Sequence, residues 1–266
     1  VPDSDVLVRI GGLEFSGQGT HRTRTGFFIR DQGLTGWHDG VSFRSDRTGL
    51  LARPGTLVGN VQPEGRVIPL AGPAIASSQP ELLAMRDQFR ELFRTGTERI
   101  EVQHSGRTEW CDVERLEQPE FSPLYYLNRA NYRLAMYAPD PFIFGTARRY
   151  TGTGQSLAVS HRGSWDAAPT VTVRAATAMT SGYGLRLLDG SETRGFLRVN
   201  SAGAGVRHVI RPDLMEVRTT SGALLIGALH SGEPWSVPPN GEFTVRVEPV
   251  TGTGVVESMQ IVDTYL

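Results

Sequence analysis

The sequence contains no lysine: all 27 of its basic residues are arginine. That absence excludes Schiff-base catalysis, a P-loop lysine and a Ser–Lys nucleophile together. An arginine-favouring codon bias is the simplest source of the imbalance. Its physical result is a surface of planar, permanently charged donors suited to carboxylate pairing and to interfaces. Cysteine is nearly absent as well. A lone Cys111 rules out an intrachain disulfide and any Cys-x-x-Cys zinc site. No apolar run is long enough for a membrane span; "LLIGAL" (224–229) is among the longest. The opening "VPDSDVLVRI" has neither a basic nor an apolar leader region, so no signal peptide is expected and cytosolic synthesis is. A formal net charge of −1 carries no electrostatic footprint of a nucleic-acid binder or a basic membrane patch.

Catalytic and cofactor motifs are missing too. Five Gly-x-Gly pairs occur, at 17/19, 152/154, 182/184, 203/205 and 252/254, and none has the third glycine of a dinucleotide fingerprint. They read as turn residues that need a positive φ. There is no Gly-x-Ser-x-Gly elbow. None of the six histidines has a partner at the spacing of a helical metal site. His38-Asp39 reads as a surface loop pair, because neighbouring residues of extended chain point apart. Glu109, Asp112 and Glu114 sit on one hairpin strand, with Asp112 and Glu114 on one face, and Glu117 and Glu120 follow; this reads as an exposed polar face rather than a glycosidase pair. No catalytic residue, cofactor site or metal site is expected.

What is present is strand-like. The 266 residues suffice for two domains of roughly 130 each. In the first half, "VLVRI" (6–10), "GFFIRD" (26–31), "RVIPLAG" (66–72) and "NYRLAMY" (131–137) read as strands. "RIEVQH" and "RTEWCDVE" flank Ser105-Gly106 as a hairpin. One helix is predicted over 79–95. Ser78 caps it with Glu81 three residues on, Pro80 lies in its first turn and Gly96 closes it. Leu82, Met85, Phe89, Leu92 and Phe93 form one apolar stripe, which reads as the face laid on a sheet. Residues 32–65 form a Gly-, Arg- and Pro-rich excursion in which "VSF" and "TLVGNV" can pair; it is too long for a structureless loop in a compact domain.

From 148 onward, short alternating runs recur without a helix: 156–160, 170–175, 184–189, 195–200, 206–210, 215–219, 223–229, 243–249 and 258–265. Many short strands at even spacing predict a β-sandwich or barrel. Between the halves stands "YAPDPFIFG" (137–145). Pro139 and Pro141 remove two donors and stiffen the chain around Asp140, marking a hinge where one domain hands over to the next. Trp235, in the stiff loop "EPWSVPPNGEF", is the aromatic best suited to stacking on a sugar ring.

These segments, in order, resemble the distal tail proteins (Dit) of long-tailed, non-contractile bacteriophages, a family also known as minor tail proteins in phages of actinobacteria. The carrying marks are "LVRIGGLEF" (7–15), "GWHDG" (36–40), "GRVIPLAG" (65–72), "YRLAMYAPDPFIFG" (132–145), "HRGSWDAAPTVTVRA" (161–175) and "PWSVPPNGEFTVRVE" (234–248). Two turns depart from the family pattern: His161-Arg162-Gly163 and Pro239-Asn240-Gly241. The resemblance implies a mainly β chain. Residues 1–147 would be a split-barrel, tail-tube-like domain with a belt arm over about 32–65, and 148–266 a galectin-like β-sandwich. Six copies would form a ring at the tail tip, or baseplate, of the virion. That ring would join the tail tube protein to the hub, with the tape measure protein and receptor-binding apparatus as further partners. DNA would pass through its bore without specific binding, which favours a lumen not lined by arginine. The arm's candidate ring contacts are Trp37, His38, Phe43, Arg44, Arg47, Leu50 and Arg53. The chain would be made in the host cytoplasm. The alternative function is adhesion to a host-surface glycan through the second domain and Trp235.

Overall fold

A computed structural model of the chain describes residues 6–17, 25–49, 56–94 and 96–266. It divides into two compact units, Val1–Ile143 with Leu266, and Phe144–Tyr265.

The first unit holds β1 (Leu7–Ile10), β2 (Leu13–Ser16), β3 (Gly26–Phe28), β4 (Phe43–Gly49), β5 (Thr56–Pro63), β6 (Arg66–Ile75), α1 (Gln79–Glu91), β7 (Thr97–His104), β8 (Arg107–Arg115), β9 (Glu120–Leu124) and β10 (Arg129–Ala138). Seven of these strands close into a barrel in the order β1-β2-β3-β6-β10-β8-β7 and back to β1. Closure depends on β10 sharing one edge between two partners. Its first half pairs with β9, and Met136 and Tyr137 pair with Arg115 and Glu114 of β8. Closing the sheet satisfies strand edges that would otherwise offer unpaired N–H and C=O groups. The β7–β8 hairpin turns at Ser105 and Gly106, both with positive φ (49° and 78°), the geometry of a two-residue turn matched to strand twist.

The barrel core is aromatic. Phe15, Phe27, Phe89 and Tyr132 lie with ring centroids 5.0–5.9 Å apart in five contacts. Phe89 comes from α1, whose buried face is Leu82, Met85 and Phe89. Tyr132 Oη donates to the Phe28 carbonyl at 2.9 Å, so its hydroxyl is satisfied, and burial pushes its pKa up. The helix ends at Glu91, earlier than its apolar stripe predicts. Leu92 is extended and Phe93 takes a left-handed φ of 63°, and both are buried from this unwound turn.

The second unit holds β11 (Ile143–Thr151), β12 (Ser156–His161), β13 (Thr170–Ala175), β14 (Tyr183–Asp189), β15 (Glu192–Val199), β16 (Arg207–Arg211), β17 (Glu216–Arg218), β18 (Leu229–Gly232), β19 (Gly241–Pro249) and β20 (Gly254–Tyr265). One sheet runs β12-β19-β14-β15-β18; facing it, β17-β16-β13-β20-β11 follow one another. Alternate residues of both sheets, among them Val173, Leu185, Leu197, Val245 and Met259, share one buried core, which makes a β-sandwich. The run 223–229 is not a strand as expected. Only Leu229 joins β18, Gly227 turns at φ 75°, and Ile226 is 93% exposed at the tip of the loop. The Gly-x-Gly reading also needs correcting: Gly182 is a turn residue at φ 75°, whereas Gly184 sits inside β14, where a Cβ would meet the Phe196 ring at 2.8 Å.

Candidate functional site

The excursion after β3 divides into two parts. Residues 30–35 lie along β6: Ala71 N donates to Gly33 O at 2.8 Å, Thr35 N donates to Pro69 O at 3.3 Å, and Leu34 bridges Leu70. Beyond Ser42 the chain forms the hairpin β4–β5, a sheet of two strands whose extensive contacts, among the described residues, are with each other. Glu64 N donates to Ser42 O at 2.8 Å and closes its base. The arm proper is therefore Phe43–Pro63, shorter than the excursion.

The arm's register sets Phe43 opposite Pro63 and Ser45 opposite Val61, so these four share one face. Phe43 is 50% exposed and Val61 is exposed with it, which gives the root of the arm an apolar side. Arg44 is exposed on the opposite face, across from Gln62. Arg47 sits on β4 opposite Val58. Leu50 and Arg53 lie outside the described residues.

Trp37 does not project as a ring contact. It is 2% exposed, spent inside its own unit as an anchor of the arm's root, and its indole Nε1 has no hydrogen-bond partner. His38 next to it is exposed, with its ring 5.9 Å from that of His104 in an edge-on arrangement. The two histidines border a cleft of about 310 Å³ with Val102, Arg107 and Glu109, and Arg107 donates to Glu109 at 2.6 Å. Of the hairpin carboxylates, Glu109 pairs with Arg107 and Asp112 with Arg99, the latter at 2.9 Å and exposed. Among the described residues, no group of three or more His, Cys, Asp or Glu is placed to hold a metal.

Arg66, which sequence reasoning passed over, and Asp39, which it read only as half of a surface loop pair, organise the site. Arg66, the first residue of β6, is 4% exposed and holds the loop 36–39 by its main-chain carbonyls. It also reaches the carbonyl of Pro141. Asp39 Oδ2 accepts from Gly36 N at 2.8 Å and shapes the same loop. Pro139-Asp140-Pro141 follows β10 directly, with Asp140 Oδ1 accepting from Phe142 N at 3.1 Å. The triplet ends two residues before the division between the units.

In the second unit Trp235 is 6% exposed, with its ring against Gly195 and its Nε1 unpartnered. It borders a cleft of about 300 Å³ with Arg194, Phe196, Glu233 and Pro234. A ring so enclosed presents no open face for a sugar to stack on, which removes the basis on which the sequence nominated it. The departing turn at His161 has a structural cause. His161 is buried; its Nε2 accepts from Thr264 N at 3.3 Å, so Nδ1 carries the proton and donates to Pro238 O at 3.0 Å. Gly163 is required beside it, because a Cβ there would lie 2.1 Å from Thr264 O.

Comparison with solved structures finds the same architecture over the whole chain. The crystal structure of the Dit protein of phage SPP1, described as a paradigm of the hub adsorption apparatus in phages infecting Gram-positive bacteria, matches with a TM-score of 0.72 at 16% identity, covering 98% of this chain and 99% of that one. The fold is that of SPP1 Dit. Chains of the phage P2 baseplate in its activated conformation with calcium, and of the phage p2 baseplate with strontium, match at TM-scores of 0.47 and 0.44, each with 8% identity and 97% of this chain covered. No protein-family model matches the sequence, and no curated protein matches it.

Proposed function

We propose that this chain is a structural protein of a bacteriophage tail tip. Six copies form a ring that joins the tail tube protein to the hub and receptor-binding apparatus, with the tape measure protein and the exiting DNA passing its bore. The role is geometric, and no reaction is assigned to it. In this reading residues 1–147 build the ring and 148–266 form the galectin-like appendage. The match in fold to a Dit protein over nearly the whole chain supports the setting.

The β4–β5 hairpin carries the ring itself. A two-stranded ribbon is marginal in water when nothing covers it, and among the described residues this one pairs with no other strand. Its exposed apolar face at Phe43 and Val61 is a surface that another copy buries. An arm on one patch and its receiving surface on another make a head-to-tail contact, which closes into a ring.

Replacing residues 43–63 with a short Gly/Ser turn tests the reading by mass photometry, alone and with the tail tube protein. The wild-type chain is expected to give a species of six subunits in at least one of these conditions, and the variant a monomer in both. A wild-type chain that stays monomeric in both, and is absent from purified tail tips, overturns the proposal.

A further inference from the structure

Arg66 pairs with Ala138 at the last rung of the β6–β10 ladder, where β10 gives way to Pro139. Its guanidinium is buried, and every acceptor found for it is a main-chain carbonyl. Nη1 donates to Gly36 O at 2.8 Å, Trp37 O at 3.1 Å and Asp39 O at 2.7 Å, while Nε donates to Pro141 O at 3.3 Å. The Asp39 carboxylate adds charge attraction, but a buried guanidinium whose hydrogen bonds all go to carbonyls is costly to leave seated once they move away. The acceptors come from two segments about a hundred residues apart in sequence. One leads into the arm, and the other leads out of the first unit.

Both approaches are tightly fitted. Gly36 has a φ of 74°, and a Cβ on it would lie 2.0 Å from Val67 O. Gly65, which delivers the chain from the arm to Arg66, passes so close to Tyr137 that a Cβ would lie 2.2 Å from its hydroxyl. The loop 36–39 is thus packed directly on β6, and the chain leaving the arm on Tyr137 of β10, beside the seated guanidinium. If the loop 36–39 lifts, the guanidinium keeps a single long contact and must hydrate, and water entering for that purpose reaches the Pro141 carbonyl too.

We propose that Arg66 is a latch through which the root of the arm and the exit peptide 139–142 open and close as one unit, ahead of the rest of the barrel. Under the ring reading above, a neighbour's hold on the arm is thereby felt at the peptide leading to Phe144. The latch itself exists in the isolated chain and does not depend on that reading.

Residue-resolved hydrogen exchange of the full chain, at guanidinium concentrations below its unfolding midpoint, tests the latch. The amides of 34–40 and of Asp140 and Phe142 are expected to share one opening free energy and one denaturant slope, below those of β1 and β7. In R66M, which keeps the volume and loses the donors, both segments are expected to exchange about tenfold faster. Two distinct isotherms in the wild type, opening of either segment only with the whole barrel, or an R66M effect confined to one segment would each overturn the proposal. Should R66M not fold, the wild-type isotherms still decide it. Merged isotherms in a chain that stays monomeric alone and with the tail tube protein, and is absent from purified tail tips, would refute the ring and keep the latch.

Discussion

The two units solve the same problem, how to bury polar groups, with different chemistry. In the barrel the deeply buried charge is Arg66, a cation that does not titrate in any ordinary buffer and is held by carbonyls. In the sandwich the buried polar groups include His161, His208 and Asp263, with Ser258 and Thr264. Asp263 takes both oxygens to Arg148, with the shortest contact at 2.9 Å, and accepts from Arg162 N. These hydrogen bonds hold its carboxyl below the usual range despite the opposing effect of burial. His208 sits 2.9 Å from the Tyr183 hydroxyl, and burial pulls its pKa down. The deeply buried charge of the barrel is thus one that stays ionised near neutrality, whereas the sandwich buries a histidine whose pKa is pulled down.

The cores differ as well, and this gives the largest expected effect. The barrel depends on a cluster of aromatic rings, mostly in tilted or edge-on contact, whereas the sandwich spreads its burial over many aliphatic side chains. Phe89→Ala removes a fully buried ring whose centroid lies 5.9 Å from Phe27 and 5.5 Å from Tyr132. The expected cost is about 3–5 kcal/mol. In denaturant-dependent hydrogen exchange the loss should fall on β1–β10 and leave β12–β19 protected. Equal loss in both units would abolish the distinction drawn here. Arg66→Met comes next. It leaves four carbonyls without their donor, at about 1–3 kcal/mol.

Acid should separate the units in the opposite direction. His208 has a lower pKa folded than unfolded, so below the ordinary histidine value near 6.5 the unfolded chain binds more protons. Its stabilising contribution is complete above that pH and declines as the pH falls, by at most about 1.4 kcal/mol per pH unit, until His208 itself is protonated. Exchange measured from pH 7.5 to pH 5.5 should therefore show the sandwich opening more readily, by more than any change in the barrel. His208→Gln should flatten the sandwich response. A response of equal size in the barrel would show that burial of His208 is not its source. Cys111 does not confuse the comparison: burial pushes its thiol up to about 12, out of the range tested.

Local pattern carried much of this architecture. Alternation marked β1, β7, β8, β13 and β19, because a half-buried strand must repeat every second residue. The helix announced itself by its cap and its apolar stripe. Barrel closure left no comparable trace, since it rests on β10 dividing one edge between β8 and β9, a relation among residues distant in sequence. The arm was legible as an excursion, but its root was not. "GWHDG" has the composition of an exposed turn, yet Trp37 is buried because Arg66, about thirty residues away, gathers the carbonyls around it. "LLIGAL" misled for the converse reason. It is apolar without alternating, and the loop that carries it exposes Leu224 and Ile226 while Leu225 packs on the core. Trp235 shows that an aromatic between prolines is as readily a plug as a platform.

The smallest expected effect concerns the helix that only the barrel has. Ser78 has the extended backbone of an N-cap, but its hydroxyl accepts from Glu81 N at a long 3.4 Å. Glu81 reaches back past Ser78 to Ser77, accepting from its N at 2.6 Å and from its hydroxyl, which holds the carboxylate below its usual pKa. The capping box has thus moved one residue upstream of the position that the sequence spacing implies. Ser78→Ala should cost about 0.5 kcal/mol, the low end for an N-cap. Glu81→Gln should loosen the first turn of α1 more than Ser78→Ala does. The contribution of Glu81 is present above the ordinary carboxylate pKa and lost as the pH falls through its lowered folded value. Exchange of the α1 amides in the two variants ranks them. A larger loss for Ser78→Ala would mean that the cap works from the usual position and that the upstream pair is incidental.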